Sequence, residues 1–308
     1  MTRTQSWVSF CCPVRSSSSP TSSPTSPLSC STPEPAVGER FLRNRLATAG
    51  TVVLLMLTLF AFVGPLIWTY DHRFQPEISS DSPPSLDHPF GTSRSGHDLL
   101  GQAMRGTQQS LRVAMLAGVL AAVIGTAWGA VAGLSRGSVD AVLMRIVDVV
   151  LTVPILVIVL ALAGGGDGTD WFQVGAMIGL LSWATVARVA RGLTVSVCAH
   201  EYVDTARALG ASDRRILVEH VLPNIAGAAA VAGTVIASAA VVVEAALSFL
   251  GFGITAPDTS LGRLVGTAQD AAFTRPWLFV IPGTLLTVLC VSLSLVGDGL
   301  ADALDVRR

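Results

Sequence analysis

An all-α chain that crosses a membrane six times is predicted by three observations. Hydrophobic residues fill 51% of the 308 positions and charged residues only 13%, where a soluble domain carries about 25% charged residues. The apolar residues fall into unbroken runs of about twenty, the length that crosses a hydrocarbon core. These runs do not alternate apolar and polar residues in segments of about ten, as a membrane β-barrel requires. Helices follow.

The first span is Leu46 to Trp68, which carries no ionisable side chain. Further spans are expected at Leu111 to Leu134, Leu143 to Ala163, Phe172 to Val189, Ile225 to Phe249 and Trp277 to Leu295. The third and fourth are marked by Arg145, Asp148 and Arg188 near their ends. Pro65 and Pro154 each delete a backbone donor and should bend their spans, whereas Pro282 lies close enough to a helix start to be tolerated. Gly125, Gly129 and Gly133 repeat at four-residue spacing, which presents a smooth face to another helix.

Around these spans the chain divides into four parts. Residues 1–39 form a Ser-, Thr- and Pro-rich tract without an apolar core, expected to be disordered and not a signal peptide; alternatively the protein starts later, at Val14 or Val37, from a valine codon. Residues 40–110 hold the first span and an extracytoplasmic loop, 111–300 the main membrane domain, and 301–308 a C-terminal tail. Every basic residue is Arg. With a cytoplasmic N-terminus, Arg40, Arg43, Arg45, Arg136, Arg145, Arg188, Arg191, Arg207, Arg214, Arg215, Arg307 and Arg308 fall inside, and only Arg73, Arg94, Arg105, Arg112, Arg263 and Arg275 lie outside or at the outer boundary. The positive-inside bias therefore predicts that both termini are cytoplasmic.

Several function classes drop out. A net charge of -1 leaves no basic surface for nucleic acid. The absence of Lys removes the residue that a Walker A loop uses to hold phosphates, so nucleotide energy must come from a partner subunit. The cysteines show no disulfide or zinc spacing, and His72, His88 and His97 share an outer loop without ligand spacing and read as surface histidines. No cofactor, metal or catalytic residue is expected on this chain.

One charged block interrupts the apolar chain, Glu201 to Asn224. It reads as two short helices, Glu201 to Leu209 and Ser212 to His220, hinged at Gly210, with Pro223 barring the second from running on. In the first, Tyr202, Ala206 and Leu209 share a face. In the second, Ser212 caps a helix whose first turn holds Asp213, and Ile216, Leu217 and His220 form an apolar edge beside Arg214, Arg215 and Glu219. A docking surface and an amphipathic segment lying on the inner leaflet both fit that pattern.

The same run resembles the EAA loop of permeases of ATP-binding cassette importers, through Asp204-Thr205-Ala206, Gly210 and Leu222-Pro223. More narrowly, Glu201-Tyr202-Val203, the run Ala206 to Ser212 and the run His220 to Asn224 resemble the dipeptide, oligopeptide and nickel permease family. Three other stretches are similar to that family: Phe90-Gly91-Thr92, Gly96, Asp98-Leu99-Leu100 and Gly106 with Ser110-Leu111; Glu244 to Gly253; and Gly297-Asp298-Gly299-Leu300 with Asp302 to Asp305. Ser93, His97, Thr205 and Ala301 depart from its pattern. The likeness covers about residues 40–305 and points to the second, C-type permease of a pair.

The resemblance implies a type I importer permease fold and half of a pore, for uptake of peptides or a related small solute across the cytoplasmic membrane. It implies a second homologous permease, cytoplasmic ATP-binding subunits and an extracytoplasmic substrate-binding protein as partners, within membrane lipid. Glu201, Asp204, Ala206, Gly210, Arg214, Arg215, Leu222 and Pro223 are the expected ATPase-coupling residues.

Two acids lie at membrane depth, where an ionised side chain costs a few kcal/mol. Asp148 is expected to pair locally with Arg145, and Glu244 to make an interhelical hydrogen bond. An ion-coupled secondary transporter would instead use both to bind an ion, but the chain shows no inverted repeat and no discontinuous helix pair. A membrane scaffold without transport would purify without an ATPase.

Overall fold

The computed structural model describes residues 37–70, 72, 80–135, 137–164 and 169–304. The tract over residues 1–36, Arg73, Arg136 and the last four residues, with Arg307 and Arg308, lie outside the described residues. The described chain is helical and contains no strand, only one isolated bridge between Thr92 and Asp98.

The helices are α1 (Val37–Arg43), α2 (Arg45–Phe62), α3 (Gly64–Ile67), α4 (Leu99–Ser135), α5 (Gly137–Thr152), α6 (Ile155–Ala163), α7 (Trp171–Cys198), α8 (Glu201–Ala208), α9 (Asp213–Ile216), α10 (Leu222–Phe249), α11 (Leu261–Ala268) and α12 (Pro276–Leu304). Five stretches are long and apolar enough to cross a membrane: α2 with α3, α4, α7, α9 through α10, and α12. The pair α5 and α6, bent by 73°, supplies the sixth. The protein is a multi-pass membrane protein.

The bend falls within the third span expected over Leu143 to Ala163, at the proline expected to bend it. Pro154 sits at the break, before α6, with φ -60° and ψ 120°. It has no N–H to donate, and its ring disfavours helical backbone at Val153. One broken span occurs among the described residues, where the secondary-transporter pattern uses a pair. Pro65 lies in the first turn of α3, where the missing donor is harmless, and Pro282 is buried inside α12.

The centre of the bundle is the packing of α4 on α7. A Cβ added at Gly129 would stand 2.3 Å from the Ala187 carbonyl oxygen, and one at Gly125 2.5 Å from that of Trp183. The expected glycine face is therefore a backbone-to-backbone seam. Helix α5 is tied to α7 by two ion pairs. Asp140 accepts two hydrogen bonds from Arg191, at 2.6 and 2.5 Å. Asp148 pairs with Arg188 at 2.7 Å, both side chains about half exposed. The expected Asp148–Arg145 pair is thus replaced by an interhelical one, because the packing of Val147 on Ala184 and Ala187 brings α7 alongside and leaves Arg145 exposed.

The two ends of the bundle differ. At one, Asn44 caps α2 by accepting from the N–H groups of Leu46 (3.0 Å) and Ala47 (3.2 Å), and donates to Asp302 Oδ2 at 2.9 Å, so the first and last spans meet. Helix α7 ends here too, followed by α8 and α9; we call this the loop end. At the far end, the buried Asp98 caps α4, accepting from Gly101 N at 2.8 Å and from Trp68 Nε1 at 2.9 Å. Its other oxygen meets His88 Nδ1 at 2.9 Å, and the His88 side chain is only 15% exposed, which corrects the reading of His88 as a surface histidine. Ser93 and His97, which depart from the family pattern, close a turn of their own through Ser93 N to His97 O (2.9 Å) and His97 N to Ser93 Oγ (3.1 Å).

Candidate functional site

The charged block folds into a compact pair of helices at the loop end. Two residues separate α7 from α8, whose first turn holds Glu201 and Asp204, the sign that suits the positive end of a helix dipole. Helix α8 closes with the hydrogen bonds Ala211 N to Ala206 O (3.0 Å) and Gly210 N to Arg207 O (2.9 Å), the paired pattern of a Schellman stop. Gly210 takes φ +87°, a left-handed conformation that L side chains adopt at a cost. Ser212 then caps α9, its hydroxyl accepting from Arg215 N at 3.4 Å.

Val203 anchors the first helix. It is fully buried and packs in a cluster with Ala130, Ala190, Cys198, Ile216, Val221 and Ile225. Of the three residues expected to share a face, Tyr202 and Leu209 are exposed, Leu209 to 83%, and Ala206 is half-buried. Leu209 forms an apolar tip beside the turn at Gly210. Tyr202 lies near the rings of His200 and His220 and accepts a 3.5 Å hydrogen bond from the Asn224 amide, linking α8 to the start of α10.

The second helix does not stop at Pro223. From α9 the chain passes through a π turn, Leu217–Val221, directly into α10, and the Leu222 N–H bonds the Leu217 carbonyl five residues back. Pro223 falls in the first turn of α10, and the Asn224 side chain donates to the His220 carbonyl at 2.6 Å beside the missing donor. The expected barrier is thus a wide turn within one helix. Arg215 holds Glu219 at 2.8 Å, while Glu201, Asp204, Gly210, Arg214 and Pro223 are exposed and Leu222 is half-buried.

Sequence reasoning placed Ile216 on an apolar edge but missed Val203 and Val221 as anchors, and the π turn itself. The signal was present in the spacing. Ile216, Val221 and Ile225 stand five and four residues apart, and a five-residue step leaves an α-helical face but keeps a π-helical one.

Of the two acids, Asp148 lies with α5 away from this loop. Glu244 is fully buried near the far end of α10, accepting from Ser110 Oγ at 3.1 Å and Ser248 Oγ at 2.6 Å. Between α7 and α10 at the loop end lies an open, mainly apolar cavity of about 900 Å³, lined by Val189, Leu193, His200, Pro223, Ala228 and Leu304 among others.

Residues 125–308 match the family described as binding-protein-dependent transport system inner membrane component. Residues 37–84 match the N-terminal TM domain of oligopeptide transport permease C. An oligopeptide transport system permease protein of Mycobacterium tuberculosis is 38% identical over 273 residues, covering 87% of this chain and 93% of that relative. Two Bacillus subtilis proteins are similar over 87% of this chain. One is an oligopeptide transport system permease protein, 33% identical and covered over 88% of its length, and the other a dipeptide transport system permease protein, 34% identical and covered over 84%.

Proposed function

Because this chain belongs to the family of binding-protein-dependent transport system inner membrane components, we propose that it is a permease subunit of an ATP-binding cassette importer that takes up peptides. It forms half of a pore with a second, homologous permease. One observation carries the mechanism: the charged loop is a preformed helix pair whose second helix is continuous with a membrane span. A force on α8 and α9 therefore acts directly on α10.

The coupling surface comprises Glu201, Asp204, Ala206, Gly210, Arg214, Arg215, Leu222 and Pro223, with Leu209 as its apolar tip. In this reading the loop end is cytoplasmic, in keeping with the arginine bias, and both termini lie there. A cytoplasmic ATPase binds the loop and supplies all of the hydrolysis, since this chain has no Lys for a P-loop. An extracytoplasmic binding protein delivers the peptide at the far end, and no cofactor is held by this chain. Closure of the ATPase dimer draws the paired loops together and rocks the bundles between inward- and outward-facing states.

The test is purification of the tagged chain from its membrane followed by reconstitution. Copurification of an ATPase and a second permease, with peptide uptake that requires ATP and survives an uncoupler, is the expected result. Uptake that collapses with the uncoupler and persists without ATP would overturn the reading in favour of ion coupling.

A further inference from the structure

Glu244 takes no part in the coupling surface and is enclosed completely, so it meets neither peptide nor ATPase. A carboxyl group buried at that depth is costly unless its oxygens are hydrogen-bonded. Its partners lie on separate elements. Ser110 belongs to α4 and Ser248 to α10 itself, and the Ser248 hydroxyl is 3.0 Å from that of Ser260, the residue that caps α11. Ser260 Oγ in turn accepts from the Arg263 N–H at 3.2 Å. One carboxyl group thus links α4, α10 and the start of α11.

The backbones around this link are in close contact. A Cβ at Gly262 of α11 would stand 2.4 Å from Ala245 Cα, and one at Gly106 of α4 would stand 3.0 Å from Leu261 N. The far end is therefore closed by α11, seated on two spans. At the loop end α10 instead borders the open cavity that separates it from α7.

The path from one end to the other is a single helix. Asp213–Phe249 spans 37 residues, about 55 Å at 1.5 Å per residue, against a hydrocarbon core of about 30 Å. A rod of that length transmits movement only if its far end is fixed to what it must move.

We propose that Glu244 is a positioning residue that joins the outer ends of α4, α10 and α11 into one rigid block, so that displacement of the coupling loop reaches the outer rim of the pore. The proposal rests on the reading of the chain as an ATP-driven permease. Without the carboxyl group Ser110 and Ser248, through which Ser260 is tied in, lose their shared acceptor. Their hydroxyls turn to carbonyls of their own helices, so each helix survives while the link between them is lost. Glutamine preserves the link, since its oxygen accepts from Ser248 and its amide donates to Ser110.

The experiment uses the complete importer in proteoliposomes, with its binding protein and a radiolabelled peptide, and measures uptake and ATP hydrolysis in the same vesicles. Glu244→Ala is expected to hydrolyse ATP while uptake per ATP falls about tenfold. Glu244→Gln is expected to restore the wild-type ratio, which a role in bulk packing alone does not require. Ser110→Ala and Ser260→Ala, which leave the carboxyl group in place, lower the ratio in part and serve if Glu244→Ala does not assemble. An unchanged ratio in Glu244→Ala, or in both serine variants, overturns the proposal, as does a Glu244→Gln importer as uncoupled as the alanine one. A wild-type importer that shows no ATP-driven uptake overturns the permease reading itself, and the proposal falls with it.

Discussion

Ile216 and Val221 lie five residues apart and are both wholly buried, because the chain between them makes a π turn and not an α turn. In an α-helix five residues advance about 500°, which leaves the two side chains roughly 140° apart around the axis. The wider turn returns Val221 to the face that holds Ile216 and Ile225 and that packs on Val203 of α8. The π turn thus absorbs one extra residue without turning the coupling loop away from this face.

Deleting Val218, an exposed residue within the π turn, should convert the turn to ordinary α-helix without removing a core side chain. With four residues in an α turn in place of five in a π turn, Ile216 and Val221 still share a face, so the coupling loop keeps its register on α10. The deletion variant should therefore insert, accumulate and copurify with its ATPase, whereas inserting one alanine after Val218 adds about 100° of rotation and should release the ATPase on purification. An insertion variant that still copurifies with the ATPase in wild-type proportion would show that the register of the loop is unimportant.

At Gly210 the backbone, and not crowding, sets the constraint: φ is +87° and nothing lies within 4 Å of an added Cβ. Gly210→Ala should therefore cost about 1–2 kcal/mol of local stability from the left-handed conformation alone. Asn enters that conformation more readily, so Gly210→Asn should retain most ATP-driven uptake. Gly210→Asp shares that tolerance but places a charge at the tip beside Leu209, and should abolish uptake while the protein remains inserted. Equal uptake in the Asn and Asp variants would remove Gly210 from the coupling surface.

What could be read from the chain follows from the range over which its causes act. Unbroken apolar runs and the Gly125, Gly129, Gly133 repeat are local patterns, and they located the spans and the seam between α4 and α7. The partner of Asp148 was not legible, because Arg145 is three residues away and Arg188 forty, and only the packing of α5 on α7 decides between them. Helix α11, between the last two expected spans, was not foreseen, since its eight residues are too few to show a period. The charged block was found from composition, but its fold was misread at Pro223, where a proline that ends an α-helix is accommodated by a π turn.

The seam predicts a stability effect distinct from any effect on coupling. A methyl group at Gly129 would stand 2.3 Å from the Ala187 carbonyl oxygen and 2.8 Å from Arg191 N, both backbone atoms that cannot turn aside. Gly129→Ala should force α4 and α7 apart and cost about 1–3 kcal/mol, read as a lower midpoint of thermal unfolding in detergent. Gly192→Ala, on the same helix pair but with open space around it, is the control and should leave the midpoint unchanged. Equal midpoints for the two variants would mean that the close approach carries no stability.

Acid should loosen the far end through one ion pair. Arg105 Nε donates to Asp258 Oδ1 at 2.7 Å, joining α4 to the segment before α11. Burial pushes the Asp258 carboxyl up, but the hydrogen bond and charge of Arg105, with the nearby Gln109 amide and the charge of His72, outweigh it and hold it below its ordinary value near 3.8. A carboxyl group depressed by folding stabilises the native state fully above its unfolded value and loses that contribution as pH falls through the folded one. The pair should therefore contribute at neutral pH and contribute nothing once Asp258 is protonated, at pH below the ordinary carboxylate range. Since both side chains are 27% exposed, the contribution is held to about 1 kcal/mol. Asp258→Asn should lower the unfolding midpoint at pH 7 and leave it equal to that of the unsubstituted protein in strong acid. A deficit of the same size at both pH values would assign the loss to packing and not to the ion pair.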